Sequence, residues 1–289
     1  MKPLALGAII LLFGCGGGSQ DTSNTTDTSE APEYCGSAEY GGTVVGVPNC
    51  NDGTCEVPAG SFWMGSTTGR YDECPPRLVE LSTYKIGKYE VTRGEYDLCV
   101  EAEVCEARPS ECGAHSHDWD EELLPATCVD YSQASAYCSW SGGRLPTEAE
   151  WERAARGDDG VKWSWGNSSP TCSDANFRFV SWYCFTSVIE VGQYPNSESP
   201  WGLLDTAGNA WEWTGDYYDH DYYTYAEDID PMGPELCSLS SNEEDTDCHH
   251  RVIRGGAFNT TEDTTTGSAR SFAHEDAADE NLGFRCVLF

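Results

Sequence analysis

The chain of 289 residues is 39% hydrophobic and 12% aromatic, enough to build a core and too much for a wholly disordered chain. Sixteen Lys and Arg against 49 Asp and Glu give a net charge of −33. A surface so negative repels phosphate backbones and anionic headgroups, which excludes nucleic-acid binding. Fifteen cysteines without one Cys-x-x-Cys pair argue against a cytosolic zinc module and for an oxidising compartment in which disulfides persist.

In chain order, residues 1–14 read as a signal peptide, with Lys2 followed by an apolar run at 4–13 that is too short to span a bilayer. Gly14 then precedes Cys15, a pattern that resembles a bacterial lipoprotein signal with Cys15 lipidated as the first mature residue. Removing Cys15 from the cysteine count leaves an even number for disulfides. Gly16 rather than Asp follows, so the expected location is the cell envelope, as an outer-membrane lipoprotein that touches the membrane through its lipid only. Residues 15–33 are rich in Gly, Ser, Thr and Asp and read as a flexible tether. The folded domain is expected over 34–289, with a Cys-rich leading segment at 34–56.

Three helices follow. Thr92-Arg93-Gly94-Glu95 forms a capping box, in which hydroxyl and carboxylate satisfy each other's orphan amides, and Tyr96, Cys99 and Val100 fall on one face behind it. Residues 130–140 place Ala134, Tyr137 and Cys138 on one face and stop at Gly142-Gly143. Thr147-Glu148-Ala149-Glu150 is a second capping box, followed by Trp151, Ala154 and Ala155 and ended by Gly157. Beyond it the helical period disappears, leaving short β-type runs at 188–191, 251–258 and 283–289 between long polar loops. The fold class is α+β, with small sheets, few helices and much irregular loop.

Gly60-Ser61-Phe62-Trp63-Met64-Gly65, Glu90-Val91-Thr92, Gly143-Arg144-Leu145-Pro146-Thr147-Glu148-Ala149-Glu150-Trp151-Glu152, Gly208-Asn209-Ala210-Trp211-Glu212-Trp213, Arg254-Gly255-Gly256-Ala257-Phe258 and Asn281-Leu282-Gly283-Phe284-Arg285-Cys286 occur in that order. In this the chain resembles the formylglycine-generating enzyme, or sulfatase-modifying factor, family. The resemblance implies a modified C-type-lectin-like fold with small twisted sheets and a disulfide between Cys138 and Cys286. Activity does not follow from it, because the family holds copper oxidases, iron enzymes and members without known chemistry. Proximity suggests the local pairs Cys99 with Cys105, Cys112 with Cys128, Cys172 with Cys184 and Cys237 with Cys248.

The family's oxidases hold Cu(I) between two thiolates just beyond the Gly-Gly strand, since soft sulfur stabilises the reduced metal. Matching residue by residue puts Thr260 and Thr265 at those positions, and no cysteine lies between Cys248 and Cys286. Copper is therefore not expected, and no catalytic residue is assigned. Iron relatives draw histidines from an added helical region that this sequence does not show. His115 and His117 read as part of a solvated acidic loop, and the neighbours His249 and His250 point to opposite faces of a strand, which argues against joint chelation. The resemblance further implies a structural calcium held by the side chains of Asp205 and Glu212 and the carbonyls of Gly208 and Ala210. A second calcium would use Asn176 and the carbonyl of Phe177, but its aspartate position falls at Tyr183.

Residues 216–230 interleave tyrosines with acids, either to stack on a sugar or cationic peptide or to pack as a loop. Arg270 matches a recurrent family arginine that serves as a ligand clamp or as a buried ion-pair anchor. Two functions follow. One is a non-catalytic, calcium-stabilised module on a lipid tether, binding a cell-surface protein or glycan. The other is a family enzyme acting on sulfatase-type peptides or through another metal.

Overall fold

The computed structural model describes residues 48–109, 121–239 and 248–289, all within the compact unit Pro32–Phe289. Cys15, the tether, most of the leading Cys-rich segment, His115 and His117 lie outside the described residues. In chain order the elements are β1 (Cys50–Asn51), β2 (Thr54–Val57), β3 (Gly60–Met64), β4 (Arg77–Leu81), β5 (Tyr84–Gly87), α1 (Arg93–Glu101), α2 (Tyr131–Trp140), β6 (Gly143–Arg144), α3 (Glu148–Arg156), β7 (Trp211–Tyr217), β8 (His250–Arg254), β9 (Arg270–His274), β10 (Leu282–Phe284) and β11 (Val287–Leu288). The strands form a five-stranded sheet ordered β1-β2-β5-β11-β6, a four-stranded sheet ordered β10-β7-β8-β9, and the hairpin β3-β4. Among the described residues no helix is long and apolar enough to cross a membrane.

All three helices start where their caps place them. Thr92 with Glu95, Asp130 with Gln133, and Thr147 with Glu150 each form a reciprocal box, and Gly157 ends α3 at φ +72°. The strand runs differ more. Residues 188–191 are not a strand: Val188 and Ile189 are buried, but the Ile189 N–H donates to the Asn209 side chain instead of to a neighbouring strand. β8 stops at Arg254 because Gly255 and Gly256 take φ +92° and +75°. The run at 283–289 divides between two sheets, as Arg285 turns inward to Glu212 and Cys286 to Cys138.

One core cluster gathers Tyr96, Tyr137, Trp213 and Phe284 between α1, α2 and the four-stranded sheet. Another packs Phe62, Met64, Val79 and Ile86 against α3 and Trp201. Every residue of α3 is buried. Its Trp151-Ala154-Ala155 face is apolar as expected, while Glu148, Glu152 and Arg156, one turn apart, form a charged stripe that is equally dry.

The structure joins Cys138 to Cys286 with Cα atoms 5.5 Å apart, and pairs Cys99 with Cys105, Cys172 with Cys184 and Cys237 with Cys248. Cys50 pairs with Cys55, and Cys74 and Cys128 are also oxidised. Cys112, the partner proposed for Cys128, lies outside the described residues. The Cys138–Cys286 bond ties α2 to the end of the chain across 148 residues. Replacing both cysteines by Ala should cost about 4 to 5 kcal/mol through restored chain entropy, read from urea unfolding; a loss under about 1 kcal/mol would mean that packing alone holds these ends.

Candidate functional site

After the Gly255-Gly256 turn the chain enters the loop that carries Thr260 and Thr265. A Cβ at Gly256 would stand 2.8 Å from the Thr265 methyl and 3.0 Å from the Thr264 carbonyl, so this approach admits only glycine. Both threonine hydroxyls are hydrogen-bonded within the protein. Thr260 accepts from the Ala257 N–H at 2.9 Å and from the Thr264 hydroxyl at 2.8 Å. Thr265 is 0% exposed, donates to the Glu262 carbonyl at 2.8 Å and accepts from the Trp163 indole at 3.1 Å. Two neutral hard oxygens held this way do not fit Cu(I), and the nearest cysteines in sequence are bound in disulfides elsewhere.

Beside this loop opens a groove of about 380 Å³ whose walls include Arg70, Glu73, Lys162, Glu262 and Asp263. Glu73 is buried, accepts from the Arg70 N–H and the Ser268 hydroxyl at 2.8 Å each, and has its carboxyl raised by burial. The groove is polar and of mixed charge, suited to binding groups with both donors and acceptors.

Hairpin 178–183 flanks the same loop, its Arg178 N–H donating to the Thr260 carbonyl at 2.8 Å. Phe179 stacks on Trp182 at 4.1 Å and 16°, the Arg178 guanidinium lies 5.8 Å from the Tyr183 ring centre, and Trp182 is 52% exposed. Sequence reasoning passed over this platform. Its signal was present as Phe179, Val180, Trp182 and Tyr183 crowded into a Cys172–Cys184 loop without helical or strand period.

The tyrosine-rich segment 216–230 takes the other role. Tyr218, Tyr222 and Tyr223 are buried, and Tyr217 lies under the Arg251 guanidinium at 3.4 Å, so the segment is mainly a packed loop. Only Tyr225 is well exposed among its tyrosines.

Arg270 is likewise no ligand clamp. It is 0% exposed, pairs with both Glu148 oxygens at 2.6 and 3.0 Å, and donates to the carbonyls of Asp72 and Asp219. With each of its three nitrogens bonded inside the protein, it anchors β9 to α3. Asp216, which accepts from the Glu148 N–H at 2.8 Å, is pushed up to about 8 by burial and by the Glu148 carboxylate.

The loop named for calcium coils tightly, with Asp205, Gly208 and Asn209 at φ +59°, +79° and +63°. Glu212 pairs with Arg285 through both oxygens at 2.6 and 2.7 Å and accepts from the Trp151 indole at 2.7 Å. Asp205 accepts from the Gly192 N–H at 2.6 Å. A third carboxylate joins them: Glu90 accepts from the Asn209 amide at 2.7 Å and from the Ala210 N–H at 3.0 Å. Burial, then Asp205 and Glu212, raise Glu90 far above the usual carboxylate range, and burial pushes Asp205 up to about 6. Three buried carboxylates thus share the single guanidinium of Arg285. Acidic oxygens crowded in this way, with two of the three groups raised by burial and mutual repulsion, make a hard-oxygen setting that a divalent cation such as calcium fits.

Asn176 and Phe177 are arranged differently. The Asn176 amide donates to the Ser187 carbonyl and the Asn209 side chain, its oxygen accepts from the Phe185 N–H, and the Phe177 carbonyl accepts from the Cys184 N–H. Tyr183 brings no carboxylate to them.

Residues 44–288 match the sulfatase-modifying factor enzyme 1-like domain. The chain is 29% identical to the formylglycine-generating enzyme of Streptomyces coelicolor, over 89% of this chain and 95% of that protein. Its fold matches Treponema denticola variable protein 1 with a TM-score of 0.65 and 24% identity, over 81% of this chain and 94% of that one. PvdO from Pseudomonas aeruginosa gives a TM-score of 0.62 at 24% identity, over 81% and 93%. The fold is therefore the modified C-type-lectin-like one.

Arg270→Met would strand part of the Glu148 charge in a dry site and should lower stability by about 3 to 5 kcal/mol in urea unfolding. A change below about 1 kcal/mol is the result expected of a surface clamp instead.

Proposed function

The chain belongs to the sulfatase-modifying factor family, and on that premise we propose that it is a non-catalytic recognition domain of the cell envelope. The observation that carries the reading is Thr265, a buried hydroxyl bound on both sides where the family's oxidases need a thiolate. In this reading Cys15 bears a lipid, the tether at 15–33 gives the domain reach, and the outer membrane holds it. The ligand is a surface protein or glycan that stacks on the hairpin 178–183 and reaches polar groups in the adjoining groove. The aromatic platform supplies area at low entropic cost, and the groove supplies hydrogen bonds.

Calcium belongs to the same proposal, as a structural ion held by Asp205 and Glu212 with the carbonyls of Gly208 and Ala210. Glu90, buried beside them, is raised by burial and by the two neighbouring carboxylates, and the positive charge of the ion would act against that rise. A second reading, an enzyme acting on sulfatase-type peptides through another metal, draws on the near full-length likeness to the Streptomyces enzyme.

Protein loaded with Cu(I) and given a cysteine-containing sulfatase-motif peptide should leave the peptide mass unchanged, while Trp182→Ala should abolish capture of the surface ligand without lowering the melting temperature. Copper-dependent aldehyde in the peptide would make the enzyme reading primary.

Calcium at a hundredfold excess over its dissociation constant should add about 2.7 kcal/mol to stability, so chelator lowers the melting temperature. Asp205→Asn should remove that response. Because Asp205 is held up to about 6, its folded form keeps a proton at lower pH that calcium must displace. The calcium increment should therefore shrink as pH falls below about 6. A melting temperature indifferent to chelator at neutral pH would leave the loop as a turn only.

A further inference from the structure

At the far end of the sheet face that turns Arg254 and Arg270 toward α3, where β8 begins and β9 ends, a second cluster stands apart from the loops already described. The sulfurs of Cys237 and Cys248 and the imidazole of His250 place their ligand atoms within 4.8 Å of one another. Cys248 Sγ is 3.6 Å from His250 Nδ1, and the His250 backbone N–H donates to Cys237 Sγ at 3.4 Å. The register of β8 and β9 sets His274 directly opposite His250, with ring centres 5.4 Å apart and nearly perpendicular.

The backbone under this cluster is fixed. Tyr218 donates its N–H to the His250 carbonyl at 2.9 Å and its carbonyl accepts from the Ser238 N–H at 2.8 Å, so one residue clasps the two segments that carry His250 and Cys237. The Phe272 ring walls His250 edge-on at 5.3 Å. His249 turns aside, its Nδ1 lying 3.5 Å from Glu275.

A tetrahedral ion with sulfur at about 2.3 Å and nitrogen at about 2.1 Å separates those two ligand atoms by about 3.6 Å. Cys248 and His250 already stand at that separation. The closed disulfide blocks the arrangement, because two sulfurs bonded to each other cannot both bind as thiolates.

We propose that the Cys237–Cys248 disulfide is a redox gate over a site for a thiophilic ion of the Zn(II) class. A dithiol reductant opens it: the reductant's two thiols give two electrons to the S–S bond and close as a cyclic disulfide, and their two protons pass to the cysteines. The ion then displaces both thiol protons and is held by Cys237, Cys248 and His250 Nδ1, with His274 as fourth ligand from across the strand pair. A small-molecule disulfide reverses the step by exchange: it takes two electrons from the two thiolates and leaves as two thiols after taking up two protons, while the re-formed Cys237–Cys248 bond releases the ion. This gate is independent of what the groove and hairpin bind.

The test uses the full mature chain, oxidised or treated with a dithiol and desalted under nitrogen, with Zn(II) affinity measured by chelator competition and Co(II) as spectroscopic probe. Reduced protein should bind one more Zn(II) per chain than a Cys237→Ser, Cys248→Ser double variant treated identically, and should show sulfur-to-cobalt charge-transfer absorption that the double variant lacks. His250→Ala and His274→Ala keep both cysteines, and each should weaken binding by at least about tenfold. Near-UV circular dichroism of the oxidised variants checks that the fold persists. No charge-transfer band in reduced wild type, equal uptake by the double variant, equal affinity in oxidised protein, or undiminished affinity in both histidine variants would each overturn the proposal.

Discussion

Glu148 and Glu152, one turn apart on α3, meet the guanidinium groups of Arg270, Arg254 and Arg156 in the dry centre of the domain. The other parts take their positions from this array. Arg254 brings in β8, Arg270 brings in β9, and Glu152 accepts from the Gly65 N–H at 2.7 Å to fix the loop after β3. Buried ion pairs contribute little net stability against an apolar replacement, yet breaking one side leaves an uncompensated charge. Such an array specifies geometry more than it adds strength. It also holds the groove, since Arg270 grips the Asp72 carbonyl next to Glu73, and Glu73 grips Ser268.

Around that centre the chain has kept the frame of its family and changed the chemistry at one edge. Thr260 and Thr265, which match the cysteine positions of the family's oxidases, spend their hydroxyls on hydrogen bonds within the protein. Beside their loop lies an aromatic hairpin stapled at its base by Cys172–Cys184. In the loop that carries Asp205, Glu212 pairs with Arg285, which Glu90 and Asp205 also influence. A disulfide-rich chain with a net charge of −33 gains from local staples of this kind, because its surface charges repel one another.

Local chemistry was legible and distant pairing less so. The boxes at Thr92 and Thr147 mark the starts of α1 and α3 because capping is a four-residue event. Cys138 and Cys286 could be joined only through the family resemblance, since nothing in a 148-residue separation encodes proximity. Residues 188–191 imitate a strand because a short apolar run does not reveal whether the partner is a strand or, as here, the Asn209 side chain. The tyrosines at 217–225 pointed to a surface, but a run of aromatics beside acids looks alike whether it faces solvent or, as for Tyr223, packs over a buried arginine. His274 facing His250, and Glu90 beside Asp205, are products of tertiary register that no local window contains.

The central claim is that this domain keeps its family's fold and structural ion without the redox metal. Elemental analysis of the purified mature protein, oxidised and dialysed without chelator, tests it most directly. The account predicts calcium at about one ion per chain with copper and iron at background. Copper at one ion per chain, bound in the absence of calcium, would contradict it.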